Sequence, residues 1–150
     1  MIEIRVESSE GKIEQAWALF LEHREELTTN KELMELYPDR EKYAACESAG
    51  MLLCLWAYDD GELVGYSVNF LSPNMHYSKL RMCHNDLIFL TKKHREGRTG
   101  LRLIRETEAQ AKARGVQFMI WHAKPGTAFD ALIPKLGYRV QDIMYSKILE

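Results

Sequence analysis

A mixed α/β domain, with both antiparallel and parallel strand pairs around one core, is what the order of patterns along this chain predicts. Three observations carry that prediction. Strand-like and helix-like segments follow one another as β-α-α-β-β-β-α-β-α-β. Asp59-Asp60-Gly61 lies between two apolar runs as a hairpin turn. The strand-like run Arg81–Leu90 enters a basic, glycine-containing loop that opens directly into an amphipathic helix.

Ile2–Val6 alternates apolar and polar residues, the period-2 signature of a half-buried strand. From Lys12 to about Leu27, Ile13, Trp17, Phe20, Leu21 and Leu27 recur at helical spacing and predict one amphipathic helix. Thr28-Thr29-Asn30 breaks it. Lys31–Leu36 predicts a short second helix ended before Pro38, and Arg40–Ser48 a further one ending near Gly50. Met51–Tyr58 and Leu63–Leu71 are apolar strands on either side of the hairpin turn. Residues 72–79 form a loop around Pro73 and Asn74, with Met75, His76 and Tyr77 near its tip. Arg81–Leu90 is a long strand, Thr99–Arg114 an amphipathic helix stopped by Gly115, and Val116–His122 an apolar strand. Thr127–Leu136 is a short helix ended by Gly137, and Tyr138–Leu149 supplies one bent strand or two short ones. No repeat, low-complexity tract or linker interrupts this order, so residues 1–150 are expected to form a single domain.

A chain of 150 residues buries roughly two-thirds of its unfolded surface without staples. Its 46% hydrophobic and 28% charged content is that of a soluble globular protein rather than a disordered one. No apolar run reaches the roughly 20 residues that span a bilayer. Glu3 and Glu7 stand where a signal peptide would carry bases, so no membrane partner and a cytoplasmic location are expected. Cys46, Cys54 and Cys83 are odd in number and lack C-x-x-C spacing, and the histidines show no metal-ligand spacing with them. Reduced thiols and no metal are the expectation. The net charge of −2 divides sharply: residues 1–62 hold 15 acids and 6 bases, residues 63–150 hold 7 acids and 14 bases. Solvated helix faces explain part of this. A basic half for an anionic cofactor and an acidic half for a cationic partner explain the rest.

The densest chemistry lies between residues 84 and 104. His84-Asn85-Asp86-Leu87-Ile88-Phe89-Leu90-Thr91 leads into Lys92-Lys93-His94-Arg95-Glu96-Gly97-Arg98-Thr99-Gly100, then Leu101-Arg102-Leu103-Ile104. A strand running through such a loop into a helix points free backbone N–H groups and the positive helix end at one place, which suits a pyrophosphate. The six positions Arg95-Glu96-Gly97-Arg98-Thr99-Gly100 resemble motif A of the GCN5-related N-acetyltransferases, the GNAT family, whose loop reads Arg/Gln-x-x-Gly-x-Gly/Ala. The first and last positions match; Arg98 stands at the inner glycine, and Gly97 comes one place early. Lys135-Leu136-Gly137-Tyr138 resembles the family's Lys-Leu-Gly-Phe/Tyr after the last helix. The element order matches as well, so the resemblance covers nearly the whole chain. The run from Gly97 to Ile104 is also similar to members encoded by bacteriophages.

The resemblance implies an α/β (α+β) fold: a mixed, twisted sheet of roughly six to seven strands, splayed between its fourth and fifth strands (81–90 and 116–122) and flanked by about four helices. It implies an N-acetyltransferase that moves an acetyl group from acetyl-CoA to a primary amine by direct attack in a ternary complex. Backbone amides of Arg95, Glu96, Gly97, Arg98, Thr99 and Gly100, with Leu101 and Arg102 in the first helical turn, would cradle the pyrophosphate. The side chains of Lys92, Lys93, Arg95, Arg98 and Arg102 would surround it with charge-assisted contacts. Pantetheine would lie along the strand backbone at Phe89, Leu90 and Thr91, where backbone amides polarise the thioester carbonyl.

An alkylamine is mostly ammonium at neutral pH, so a proton must leave before attack. Family members place a base or proton relay 11 and 9 positions before the loop's first Arg/Gln, and counting from Arg95 gives His84 and Asp86. Residues two apart share a strand face, and imidazole has the better unperturbed pKa for a general base. A polar strand end facing solvent is the alternative for the same pair. The family's usual general acid is a Tyr four residues before the closing glycine, where this chain has Ile133. The leaving thiolate would then take its proton from water, from Tyr138 or from Tyr145. Cys83 faces away from His84 across the strand and suggests no covalent enzyme intermediate. Tyr37, Tyr43, Met75, His76 and Tyr77 lie in segments that border the acceptor site in the family. Glu25, Glu26, Glu32 and Glu35 either attract an ammonium group or form a solvated helix face.

The expected acceptor is a small-molecule or peptide amine, and a homodimer is the expected assembly. Arg98 and Ile133 are also what a catalytically inactive GNAT-fold binding protein would show, its basic loop contacting a partner or nucleic acid. The overall charge disfavours a dedicated nucleic-acid binder.

Overall fold

The computed structural model describes all 150 residues, and its sheet grows outward from the predicted hairpin. Strands β2 (Leu52–Asp59) and β3 (Glu62–Pro73) pair antiparallel around Asp60-Gly61. Positive φ at both turn residues, 48° and 87°, is the primed turn geometry that matches strand twist. β1 (Ile2–Val6) pairs antiparallel with β2, and β4 (Arg81–Leu90) antiparallel with β3. β5 (Phe118–Ile120) then lies parallel to β4, giving the order β1-β2-β3-β4-β5. A parallel neighbour requires a crossover, and helix α4 (Thr99–Ala113) supplies it.

Alternation in the strands sends side chains to two separate cores. Cys54, Trp56, Tyr58, Tyr66, Val68 and Phe89 face the helices α1 (Lys12–Gln15) and α2 (Trp17–Leu27), whose Ile13, Ala16, Leu19 and Phe20 meet them. α3 (Arg40–Ser48) covers the same face, with Tyr43 packed against this cluster. Leu53, Leu55, Leu71 and Cys83 face the other way, onto Leu103 and Ala111 of α4. Each large side chain removed from water contributes about 1.5–3 kcal/mol. Gly65 holds β3 and β4 together: a Cβ there would lie 2.6 Å from the Phe89 carbonyl oxygen.

The structure corrects four expectations about elements. The sheet has five strands, not six to seven, because Tyr138–Leu149 is irregular chain. Val140 and Tyr145 there are 82% and 89% exposed. Apolar alternation yields a strand only where a neighbouring strand and a packed face exist, and this segment has neither. The helix expected from Lys12 to Leu27 breaks at Ala16, which turns Trp17 and Leu21 toward solvent and buries Leu19 instead. Lys31–Leu36 is only a turn: Leu33 and Met34 N–H both donate to Asn30 O, while Arg24 takes the Lys31 and Met34 carbonyls. The last helix, expected over Thr127–Leu136, is α5 (Ala128–Leu132) followed by a 3₁₀ turn through Leu136 that contains Pro134. No helix is long and apolar enough to cross a membrane.

Candidate active site

β5 follows β4 for three residues only, Met82↔Phe118, Cys83↔Met119 and His84↔Ile120. Beyond His84 the two strands part, and the second half of β4 has a neighbour on the β3 side alone. This is the splay expected from the sequence. Thr91 N–H donates to Val64 O at 2.9 Å. In an antiparallel ladder alternate residues turn the other way, so Ile88 and Leu90 direct their backbone groups into the gap while Phe89 and Thr91 direct theirs to β3. Of the three strand positions expected to meet pantetheine, Leu90 therefore offers its backbone to the gap. The Phe89 and Leu90 side chains are buried, as core residues would be.

Within β4 the ladder contains a bulge. Val68 pairs with Leu87 and Asn69 with Asn85, so Asp86 has no partner on β3. Asp86 and Leu87 consequently both present side chains to the α1–α3 face: Leu87 packs against that core, and Asp86 lines a notch with Tyr43, Leu52 and Phe70. His84 shares the face, its ring stacked 6.4 Å from His122 at 22°. The structure thus brings His84 and Asp86 to one side of the strand at the mouth of the gap. Partial burial, with His122 nearby, holds the His84 pKa below its ordinary 6.5, so the imidazole is a neutral proton acceptor. Asp86 is open to solvent on one side, but loss of hydration against the notch raises its carboxyl, and His122 opposes the rise. Burial also pushes the neighbouring Tyr43 hydroxyl up to about 12, where it remains a donor.

After β4 the chain makes a 3₁₀ turn at Lys92–His94 and reaches α4. His94 pins this turn, with Nδ1 2.7 Å from Thr91 Oγ1 and Nε2 3.0 Å from Asp59 Oδ2. Gly97 adopts φ of +100°, a conformation that penalises any side chain. A Cβ at Gly97 or Gly100 would meet nothing within 4 Å, so the loop borders open space. Arg102 N–H donates to Arg98 O, which makes Arg98 the cap residue, and no side chain caps the helix. Thr99 is the first helical residue. The N–H groups of Thr99, Gly100 and Leu101 precede the first helical bond and are left for a ligand. Lys92, Lys93 and Arg98 take part in no ion pair. Glu96 is exposed beside them.

Arg95 differs from these free cations. Its guanidinium grips Glu26 of α2 at 2.5 and 2.7 Å, donates through Nε to Leu90 O at 2.7 Å and lies 5.2 Å from the Phe89 ring centre. The side chain ties loop, strand and helix together and leaves only the Arg95 backbone for a phosphate. Arg102 is spent in part as well, reaching Ile2 O at 3.3 Å.

The two candidate general acids do not join the site. Tyr138 donates to Glu108 Oε1 on α4 at 2.7 Å and packs edge-on against Trp121, and burial raises its hydroxyl to about 12. Tyr145 lies on the irregular C-terminal segment, 89% exposed. Cys83 is buried against α4, its thiol pushed up to about 12, on the face opposite His84. Among the residues considered for the acceptor, only Tyr43 reaches the notch; Tyr37, Met75 and Tyr77 are 84%, 89% and 70% exposed. Glu25 pairs with Lys31, and Glu26 with Arg95. Sequence reasoning missed His122 beside His84, the in-chain role of Arg95, and the inward turn of Asn85. A polar His84-Asn85-Asp86 run within an apolar strand was the available signal for the last.

The model of the acetyltransferase (GNAT) family matches residues 17–138. No curated protein matches the chain in sequence. An aminoglycoside acetyltransferase from an uncultured soil metagenomic sample superposes with a TM-score of 0.80 at 17% identity, over 100% of this chain and 99% of that one. A ribosomal-protein-alanine N-acetyltransferase from Brucella melitensis biovar Abortus 2308 superposes with a TM-score of 0.72 at 16% identity, over 100% of both chains. Glucosamine-6-phosphate N-acetyltransferase from Arabidopsis thaliana gives 0.72 at 14% identity, over 100% of this chain and 99% of that one.

Proposed function

The chain belongs to the acetyltransferase (GNAT) family, and from that premise we propose that it transfers acetyl from acetyl-CoA directly to a cationic primary amine. One observation carries the proposal: the gap between β4 and β5 opens onto the uncapped start of α4, beside the unpaired cations Lys92, Lys93 and Arg98. Open space at Gly97 and Gly100 suits a bulky pyrophosphate there. Backbone N–H groups from Gly97 to Leu101 would hold it, with Lys92, Lys93 and Arg98 as charged walls. Acetyl-CoA supplies an activated thioester. The backbone of Ile88 and Leu90 would align its pantetheine arm, once Leu90 O exchanges Arg95 for that arm.

The acceptor ammonium would lose its proton to His84, with Asp86 and His122 completing the local charge balance. Its nitrogen then forms the amide C–N bond as the C–S bond breaks, and the departing thiolate takes a proton from water. A thiolate with a pKa near 8.5 leaves without a dedicated acid, which fits the engagement of Tyr138 by Glu108. Tyr43 lines both the notch beside Asp86, about 70 Å³, and an open cleft of about 550 Å³ bordered by Glu10, Glu14, Arg40 and Glu47. Arg40 is paired with Glu14, so the cleft favours a polycationic acceptor. Aminoglycosides, the substrates named for one structural neighbour, belong to that chemical class.

The test is the thermal shift with coenzyme A, acetyl-CoA and a nucleotide lacking pantetheine. Ligand at 100 times its Kd stabilises by about 2.7 kcal/mol, a rise of several degrees. Stabilisation by the two pantetheine compounds is expected. No shift at millimolar concentration would overturn the reading in favour of a binding protein without acetyl transfer.

A further inference from the structure

Resting on the acetyltransferase reading, we propose that Asn85 is a positioning residue: its buried amide holds open the β4 bulge that turns the Ile88 backbone into the gap beside the His84 and Asp86 face. Asn85 touches neither the gap nor the notch. It is 2% exposed and turns toward α4, opposite to His84 and Asp86. Skipping Asp86 in the ladder would leave carbonyl groups near the bulge short of partners. The Asn85 Nδ2 lies 3.0 Å from Leu87 O and 3.4 Å from Val68 O, the two residues that pair just beyond the skipped position. Carbonyl oxygens only accept, so the nitrogen end of the amide must face them.

The same nitrogen is 2.8 Å from Asn69 Oδ1 and 3.3 Å from Ser67 Oγ. With two hydrogens for four acceptors, the shortest contacts, Asn69 Oδ1 and Leu87 O, take them. Asn69 is oriented in turn, because its own Nδ2 donates to Leu53 O and Ser67 Oγ, both at 3.0 Å. Thr107 of α4 closes the set, with its hydroxyl 3.0 Å from Ser67 Oγ and 2.8 Å from Leu103 O. Ser67, Asn69 and Thr107 are fully buried.

Such a network is costly unless satisfied, and apolar residues would fill the same space. What it specifies is register. A regular β4 would pair Asp86 with Val68 and reverse the facing of Leu87 to Leu90, turning the Ile88 and Leu90 backbone toward β3 and away from the gap while His84 and Asp86 kept their common face. The amide of Asn85 favours the bulged arrangement because there Leu87 O lies within reach of one of its hydrogens while the other goes to Asn69 Oδ1.

Amide resonances of the ¹⁵N-labelled full chain, titrated with coenzyme A, test this. In the unaltered protein coenzyme A should shift both the loop amides of Gly97–Gly100 and the strand amides of Asp86–Ile88. Asn85→Asp keeps the shape but sets an acceptor against two carbonyls, and Asn85→Ala removes the amide with less insult should Asp not fold. Either variant should keep the loop shifts and lose those of Asp86–Ile88. Thr107→Val, which breaks the same network away from the bulge, should lower Tm and keep both sets. Strand shifts retained in the Asn85 variants, or lost in Thr107→Val as well, would overturn the proposal. If coenzyme A shifts neither set in the unaltered protein, the acetyltransferase reading itself falls and takes this inference with it, a failure visible before any variant is made.

Discussion

The two halves of β4 belong to one strand and have opposite surroundings. Met82, Cys83 and His84 lie between β3 on one side and β5 on the other. Asp86 to Leu90 have β3 alone, and their second edge faces the gap. A bulge at Asp86 marks the change. In the first half the backbone is paired on both sides, so any chemistry there, as at His84, must come from a side chain. In the second half the vacant edge, rather than any unusual residue, creates binding capacity. A site can therefore arise from where a neighbouring strand departs.

The largest expected effect falls on the chemistry. His84→Ala and Asp86→Ala should each lower kcat/KM by about 100-fold or more, the usual scale for a lost general base or its relay. The coenzyme A thermal shift should persist in both. A matching loss of the shift would mean that these residues serve binding, and the distinction between the two halves of β4 would collapse.

Next in size is the loop. Arg98→Glu removes a charge-assisted contact and adds repulsion, so the Kd for coenzyme A, read by calorimetry, should rise by about tenfold or more. Arg95→Lys should act differently. It breaks the bidentate grip on Glu26 and the bond to Leu90 O, so it should lower Tm first. Glu26→Gln, which loosens the same grip while leaving the arginine, should cost about 1 kcal/mol of stability in a urea titration. Unchanged midpoints for both would show that the clamp is incidental.

The pH dependences are smaller and separate the two sides of the sheet edge. Because the His84 pKa is held below 6.5, the imidazole is neutral at pH 7, and kcat/KM should fall only on acidification below 6.5. A profile that falls on the alkaline side alone would assign the base elsewhere. Stability should follow His23 instead, which stacks 4.9 Å from Phe89 and bonds the Tyr66 hydroxyl at 2.8 Å. Burial lowers its pKa to about 4, so the unfolded chain binds the proton more tightly. Stability is complete above about 6.5 and declines as pH falls toward 4, and His23→Gln should flatten that decline in a melting series.

How much of this was legible beforehand depends on the range of the interactions. The hairpin, the β4-loop-α4 run and the glycine at 97 could be read from neighbouring residues, since turn chemistry and periodicity are local. The break at Ala16 was not: the apolar spacing from Ile13 to Leu27 reads through it, and only packing revealed that Trp17 and Leu21 turn outward. Arg95 was read as a phosphate ligand because its position fits the motif; its guanidinium is instead committed to Glu26, 69 residues away. His122 reaches His84 only because β5 lies parallel beside β4.

Residue order by itself determined the mixed α/β class, the anion-suited loop and the pairing of His84 with Asp86 as candidates, because each depends on spacings of a few residues. The tertiary structure alone decided which cations are free, that Tyr138 is spent on Glu108, that the C-terminal segment adds no strand, and that a bulge rather than simple alternation sets the face of Leu87 and the residues after it. Those outcomes depend on long-range partners competing for the same donors, acceptors and strand edges, a competition that residue order leaves open until the chain is packed.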